Sequence, residues 1–214
     1  MSTIAQKTRV AFQGERGAFS EEAALKLLGH EIVLVPRRTF ADLYDSLDSG
    51  VADYLLAPVE NSIAGVVHNS VDLLNSKSLS ILDEIEIKIE QHLIVCPAAT
   101  FDTIETVQSH PTALAQCNRF FETHPRLKRV VADDTAGSVA EVLRLADSKR
   151  AAIAGQRAAD LYGATILRKS IQDHSGNYTR FVLLSPLRVS AQGWPQRATP
   201  TVSSEASQIL NEPS

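Results

Sequence analysis

The sequence predicts an α/β protein built of parallel-rich sheets flanked by helices and divided into two lobes. Two observations carry this. The opening third alternates short apolar runs with amphipathic segments in the order βαβαβ, which implies a parallel sheet with helices on its faces. Further on, one long stretch, Ile81–Cys96, alternates strictly, and the βα rhythm then resumes. A half-exposed strand of that kind suits a crossing from one lobe to another.

The elements follow in order. Arg9–Phe12 is a short strand, and after the turn QGERGAF, Ser20 is read as the cap of a helix. Glu21 and Glu22 fall in that helix's first turn, where its dipole favours them, and Gly29 stops it. Ile32–Val35 is the second strand, closed by Pro36. Thr39 and Asp42 then resemble a capping box opening a helix that runs to Gly50. Tyr54–Ala57 is the third strand, ended by Pro58; Glu60, Asn61 and Ser62 fill the turn before a helix carrying Val67, Val71 and Leu74 on one face. In Ile81–Cys96, Ile85, Ile87 and Ile89 face one way and Glu84, Glu86, Lys88 and Glu90 the other. Strands at 105–108, 129–132, 151–154 and 165–171 alternate with helices starting near Pro111, at Asp134 or Thr135, and at Gly155. The polar turns at these strand ends precede helix N-termini, whose unpaired N–H groups attract anions, and facing lobes would bring them to one cleft.

The stretch His174–Ser185 is a polar loop emptying into a strand. His174, Asn177, Tyr178, Thr179 and Arg180 crowd donors and one fixed cation just ahead of the apolar run Phe181–Leu184. One reading is a turn whose Asn and Thr bond their own backbone. The other is a rigid edge offering a hydroxyl and a guanidinium to a small anionic ligand.

Composition narrows the classes. A net charge of -4 with scattered Lys and Arg argues against a nucleic-acid partner. The N-terminus MSTIAQKTRV lacks a signal-peptide core and no apolar run approaches membrane-spanning length, so no membrane partner and a cytoplasmic location are expected. Cys96 and Cys117 are too few for a disulfide framework and read as buried thiols; no general base is recognisable beside Cys117 for nucleophilic work. The six histidines lack close metal-ligand spacing, so no metal site is expected. From Pro186 onward, Ser, Thr, Gln and Pro dominate, which reads as a polar tail.

Four segments together resemble the catalytic region of the prephenate dehydratase family: GERGAFSEEAA, PVENSIAGVVHNSVDLL, SHPTALAQC and NYTRF. The resemblance spans Arg9 to Ser185; Thr112 stands where such proteins commonly have Gln, and no role is given to it. It implies a bilobed, type II periplasmic-binding-protein-like fold with an active-site cleft between the lobes. Residues 1–80 with 173–187 would form the first lobe, 81–172 the second, and 188–214 the tail. The implied reaction converts prephenate to phenylpyruvate with loss of carbon dioxide and water, in phenylalanine biosynthesis. Thr179 would be the donor to the departing hydroxyl, with Glu60 a proton source only if burial raises its pKa. Arg180 would pair with one substrate carboxylate, and the helix starts at 109–111 and 135–138 would receive the other. Asn61, Ser62, Ser109 and Gln116 match family positions as polar substrate contacts. Glu60, His110, Thr135 and Asn177 are candidate contacts as well, and Phe181 a cleft wall. No cofactor or metal is expected, and a homodimer is the family expectation. Arogenate dehydratase is the near alternative, and a solute-binding protein the alternative of another class. The family's ACT pattern does not follow NYTRF, so no allosteric inhibition by phenylalanine is expected.

Overall fold

In the computed structural model, which describes residues 7–186, the chain builds one sheet, crosses to a second, and returns to finish the first. The tail expected at 188–214 lies outside the described residues. The first sheet begins with β1 (Arg9–Gln13), α1 (Phe19–Leu28), β2 (Val33–Arg37), α2 (Phe40–Asp48) and β3 (Tyr54–Asn61). β4 (Gly65–Val66), α3 (His68–Ser76) and β5 (Leu79–Lys88) follow. The second sheet uses β6 (His92–Val95), β7 (Thr106–Ser109), α4 (Pro111–Ala115), α5 (Asn118–Thr123) and β8 (Lys128–Val131), then α6 (Thr135–Leu145), β9 (Arg150–Ala154), α7 (Gln156–Tyr162) and β10 (Thr165–Arg168). β11 (Tyr178–Pro186) goes back to the first sheet.

The strand orders are β2-β1-β3-β11-β5, with β4 on β3, and β10-β6-β9-β7-β8. The molecule is therefore the bilobed, type II periplasmic-binding-protein-like α/β fold. Each sheet is mixed rather than parallel-rich. β1 runs parallel to β2 and β3, and β7 to β8 and β9, while β11 and β6 insert antiparallel. The change of sheet falls between Lys88 and His92, because β5 pairs along its length with β11; a boundary at 80 would cut that strand from its partner.

Alternation along the strands assigns each face its helices. Val10, Leu56, Ile87, Phe181 and Leu183 meet Ala23 and Ala24 of α1, whereas Ala11, Leu55, Ala57, Val182 and Leu184 meet Leu43 and Tyr44 of α2 and Leu74 of α3. The alternation read over 81–96 holds only in its first part, with Ile87 and Ile89 buried and Glu84 and Glu86 outward; the stretch is two strands rather than one, and 91–96 is buried throughout because β6 lies inside the second sheet. In the second sheet Leu93, Val107 and Ile153 pack on Leu114 and Phe121, and Ile94 and Ala152 on Val139 and Ala158.

Three local expectations change. Pro36 lies inside β2, which is the sheet edge, where a missing N–H costs no ladder bond. Pro58 does not end β3; the strand continues to Asn61, and Pro58 falls at the register shift between Arg180 and Phe181. Ala18 rather than Ser20 is the N-cap of α1, and Ser20 is buried within the helix. Thr39 caps α2 as expected, its hydroxyl accepting from the Asp42 N–H. No helix among the described residues is long and apolar enough to cross a membrane.

Candidate active site

The end of β3 and the start of β11 are adjacent strands, and their pairing brings Asn61 opposite Thr179. The Asn61 side-chain oxygen accepts from the N–H groups of Ile63 and Ala64 at 3.1 and 2.8 Å. These two donors fix which way the amide points. Its nitrogen then lies within donating distance of Asn177 Oδ1 at 2.7 Å, the Tyr178 carbonyl at 3.0 Å and Thr179 Oγ1 at 2.9 Å, its two protons shared among the three acceptors. Thr179 Oγ1 is thus an acceptor within the protein, and its own proton is left to donate elsewhere. That is the geometry a hydrogen-bond donor to a leaving oxygen needs.

Asn177 is fully buried, and its side-chain nitrogen has no hydrogen-bond partner among the described residues. It holds Asn61 from below, and its carbonyl takes the Ile89 N–H at the crossing between sheets. Ser62 is spent on the loop: its hydroxyl donates to the Gly176 carbonyl at 3.0 Å and accepts from the Tyr178 N–H at 2.9 Å. It staples the turn to the start of β11 rather than reaching outward.

Arg180 corrects the sequence reading. Neighbouring residues of a strand face opposite ways, so Arg180 points away from the side that Thr179 occupies. There it pairs with Glu60 at 3.0 Å and Glu84 at 3.6 Å, from the two flanking strands. A guanidinium held by two carboxylates is not a free seat for a third. Glu60 is accordingly paired and part-exposed, so the burial on which its proton-source role depended is not met. Phe181 is 2 % exposed within the core under α1, not on a cleft wall.

The second lobe presents its candidates at the carboxyl ends of β7 and β8. Ser109 is fully buried and its hydroxyl donates to the Ile153 carbonyl at 2.6 Å, tying β7 to β9. His110 is exposed, and its Nδ1 accepts from the Thr112 N–H at 3.2 Å, which in the neutral ring places the proton on Nε2. Thr135 is the first residue of α6, but the seat expected over 135–138 is already filled. Asp134 is the cap, and its carboxylate takes the Gly137 N–H. A carboxylate at a helix start satisfies both the open N–H and the dipole, which disfavours a second anion. Gln116 closes α4, its carbonyl accepting from the Asp173 N–H, and its side chain faces Gln91 at 3.5 Å.

Arg38 was not singled out in the sequence. A cavity of about 370 Å³ opens between Gln13, Gly14, Glu15, Arg38, Thr39 and Asp42 of the first lobe and Asp133 and Asp134 of the second, so that among the described residues Arg38 is its one cation beside four carboxylates. Arg38 is 77 % exposed there and contacts Asp133 across the gap at 3.4 Å. The doublet Arg37–Arg38 was visible in the sequence, but nothing local separates Arg37, bonded to Ser46, from Arg38, which is turned to the cleft. The Cys117 thiol is pushed up to about 12 by burial, with Asp173 adding to it, so Cys117 is no nucleophile near neutral pH.

A family model described as prephenate dehydratase matches residues 10–188. The chain belongs to that family. An arogenate dehydratase/prephenate dehydratase of Arabidopsis thaliana is 36% identical over 179 residues, 84% of this chain and 46% of that protein. The structure of prephenate dehydratase from Arthrobacter aurescens, in complex with L-Phe, superposes with a TM-score of 0.78 at 27% identity, covering 89% of this chain and 63% of that one. Another solved structure, described as a novel type of quorum quenching acylase, has a TM-score of 0.75 at 32% identity and covers 85% of this chain and 65% of that one. The chain spans about half the length of the curated relatives it matches. All four segments singled out in the sequence lie within the matched region of the prephenate dehydratase family.

Proposed function

We propose that the chain catalyses the decarboxylating dehydration of prephenate to phenylpyruvate, with Thr179 as the donor to the leaving hydroxyl. The observation that carries this is the direction of the Asn61–Thr179 hydrogen bond. In the reaction the bond between the ring and its carboxylate breaks and carbon dioxide departs. The electron pair enters the ring, the bond to the ring hydroxyl breaks, and one proton turns the departing hydroxide into water. No net oxidation occurs. Aromatisation supplies the driving force, so the protein's task is to stabilise charge growing on the leaving oxygen. A threonine hydroxyl is a very weak acid, so Thr179 donates a hydrogen bond or relays a proton that solvent replaces.

Prephenate carries two carboxylates. With Arg180 paired inside its own sheet, the cleft cation assigned to one of them is Arg38, the substrate displacing Asp133. His110, whose Nδ1 is taken and whose Nε2 is the remaining donor, is assigned to the other from the second lobe. An acyl-transfer reading has less support. Asn61 donates to Thr179 and cannot take its proton, and Ser109 already donates to a backbone carbonyl.

Incubation with prephenate, following phenylpyruvate absorbance, tests the proposal; a parallel incubation with arogenate, following phenylalanine, reports the preference between the two. Binding of prephenate without turnover would replace the enzyme by a solute-binding protein. A homodimer is part of the proposal and is checked by light scattering.

A further inference from the structure

The segment Gly14–Ala24 carries part of the family resemblance and meets the cleft at its edge, through Gly14 and Glu15. Its later residues make a contact between the lobes. A Cβ on Gly17 would come within 2.9 Å of the Ala158 backbone, and one on Gly155 within 2.7 Å of the Phe19 ring. Backbone from the first lobe thus lies directly on α7, and ring from α1 directly on its start. The Tyr162 hydroxyl donates to the Arg16 carbonyl at 2.9 Å across the same junction.

Glu21 lies in the middle of this contact and is fully buried. Its Oε1 accepts twice from Arg157 of the second lobe, at 3.1 and 2.7 Å. Its Oε2 accepts from Arg16 and from the Gly17 N–H of the first lobe. Each carboxylate oxygen is therefore satisfied by a different lobe. Burial pushes the carboxyl up, but the bonds from Arg157 and Arg16 outweigh it and hold it below the usual carboxylate range. If the second lobe swings away, Oε1 loses both of its donors and a buried ion pair is broken, a cost that water entering the opened junction repays only in part. The Arg38–Asp133 pair cannot impose such a penalty, because both side chains are largely in solvent.

We propose that Glu21, gripped by Arg16 and Arg157, is a positioning residue that sets the opening of the cleft and so the span from Thr179 to the groups of the second lobe. Its consequence for turnover rests on the dehydratase reading; its consequence for lobe geometry does not.

The test measures lobe geometry without substrate. Spin labels are placed at Ser49→Cys in the first lobe and Glu122→Cys in the second, both exposed, while Cys96 and Cys117 are buried. Pulsed electron resonance should give one narrow distance population for the otherwise unaltered chain. Glu21→Gln, which turns a donor toward donors, and Arg157→Ala, which removes a part-exposed side chain, should each add a second, broader population. Arg157→Lys should restore part of the narrow one. With prephenate, kcat/KM should fall by up to about a hundredfold, the scale of a roughly 1 Å misplacement. A narrow population unchanged in both variants, even with a lowered Tm, would assign the cluster to stability alone and overturn the proposal. So would a distribution already broad in the unaltered chain.

Discussion

Asn61→Asp is the sharpest probe of the proposed site. The substitution keeps the shape of the side chain and exchanges its donor nitrogen for an acceptor oxygen. That oxygen would face Asn177 Oδ1, the Tyr178 carbonyl and Thr179 Oγ1, all acceptors in the present arrangement. The Thr179 hydroxyl can relieve the conflict by turning its proton onto the new carboxylate, and it is then no longer available to the substrate. Turnover should fall about as far as when the hydroxyl is removed, a hundredfold or about 2.7 kcal/mol of transition-state stabilisation. The decisive assay is a double-mutant cycle on kcat. In a Thr179→Ala background, Asn61→Asp should cost no more than about threefold, because the group through which it acts is gone. A second hundredfold loss in that background would refute the coupling and give Asn61 a separate role toward substrate. Circular dichroism and thermal unfolding confirm that each variant is folded.

Thr179→Ala alone should lower kcat by about a hundredfold with KM little changed, and Thr179→Ser should keep part of the activity, both read from initial rates. Arg38→Ala should raise KM by about tenfold, whereas Arg180→Lys should leave KM unchanged and lower stability by about 1 kcal/mol in denaturant titration, as expected of a part-exposed ion pair. His92 is buried, and desolvation holds its pKa below the ordinary value, against an opposing pull from Glu90 and with Lys169 adding to the lowering. Its Nδ1 accepts from the Ser170 N–H, which requires the neutral ring. Stability from this group is therefore complete above the unfolded pKa of about 6.5 and is lost as pH falls through the depressed native value. Unfolding free energies measured from pH 7 to pH 5 should show this slope, and His92→Gln should flatten it. Cys117 should resist thiol reagents in the native protein and react once it is unfolded.

What the sequence disclosed was mostly local. The βαβαβ order, the Thr39 cap and the two faces of 81–88 were legible because each is set by residues within a few positions of one another. The two motifs that drew notice to Asn61 and Thr179 are the ones whose side chains meet in the structure, although 118 positions separate them. The role of Arg180 was not, because the carboxylates that hold it come from two other strands and depend on register. Glu21 read as a partner for its helix dipole because Arg157, 136 positions away, is invisible to any local rule. Thr135 and Ser138 read as an anion seat until the structure put the Asp134 carboxylate there first. Pro36 and Pro58 read as stops because the sequence does not show which strand will be an edge or where a bulge will fall.

The insertion of β11 also bears on how the chain comes off the ribosome. Among the described residues β5 pairs with its sheet only through β11, and Leu183 and Leu184, both fully buried, fill the two faces of the first lobe. Until residues 178–186 emerge, β5 lacks the strand it pairs with, and β3 is open along one edge. The second sheet needs only the contiguous span 92–168, so it can close while the first still waits. We expect the middle of the chain to become protease-resistant before its beginning does during synthesis. The first lobe, carrying the longest-range pairings in the described chain, should then be the slow and aggregation-exposed step.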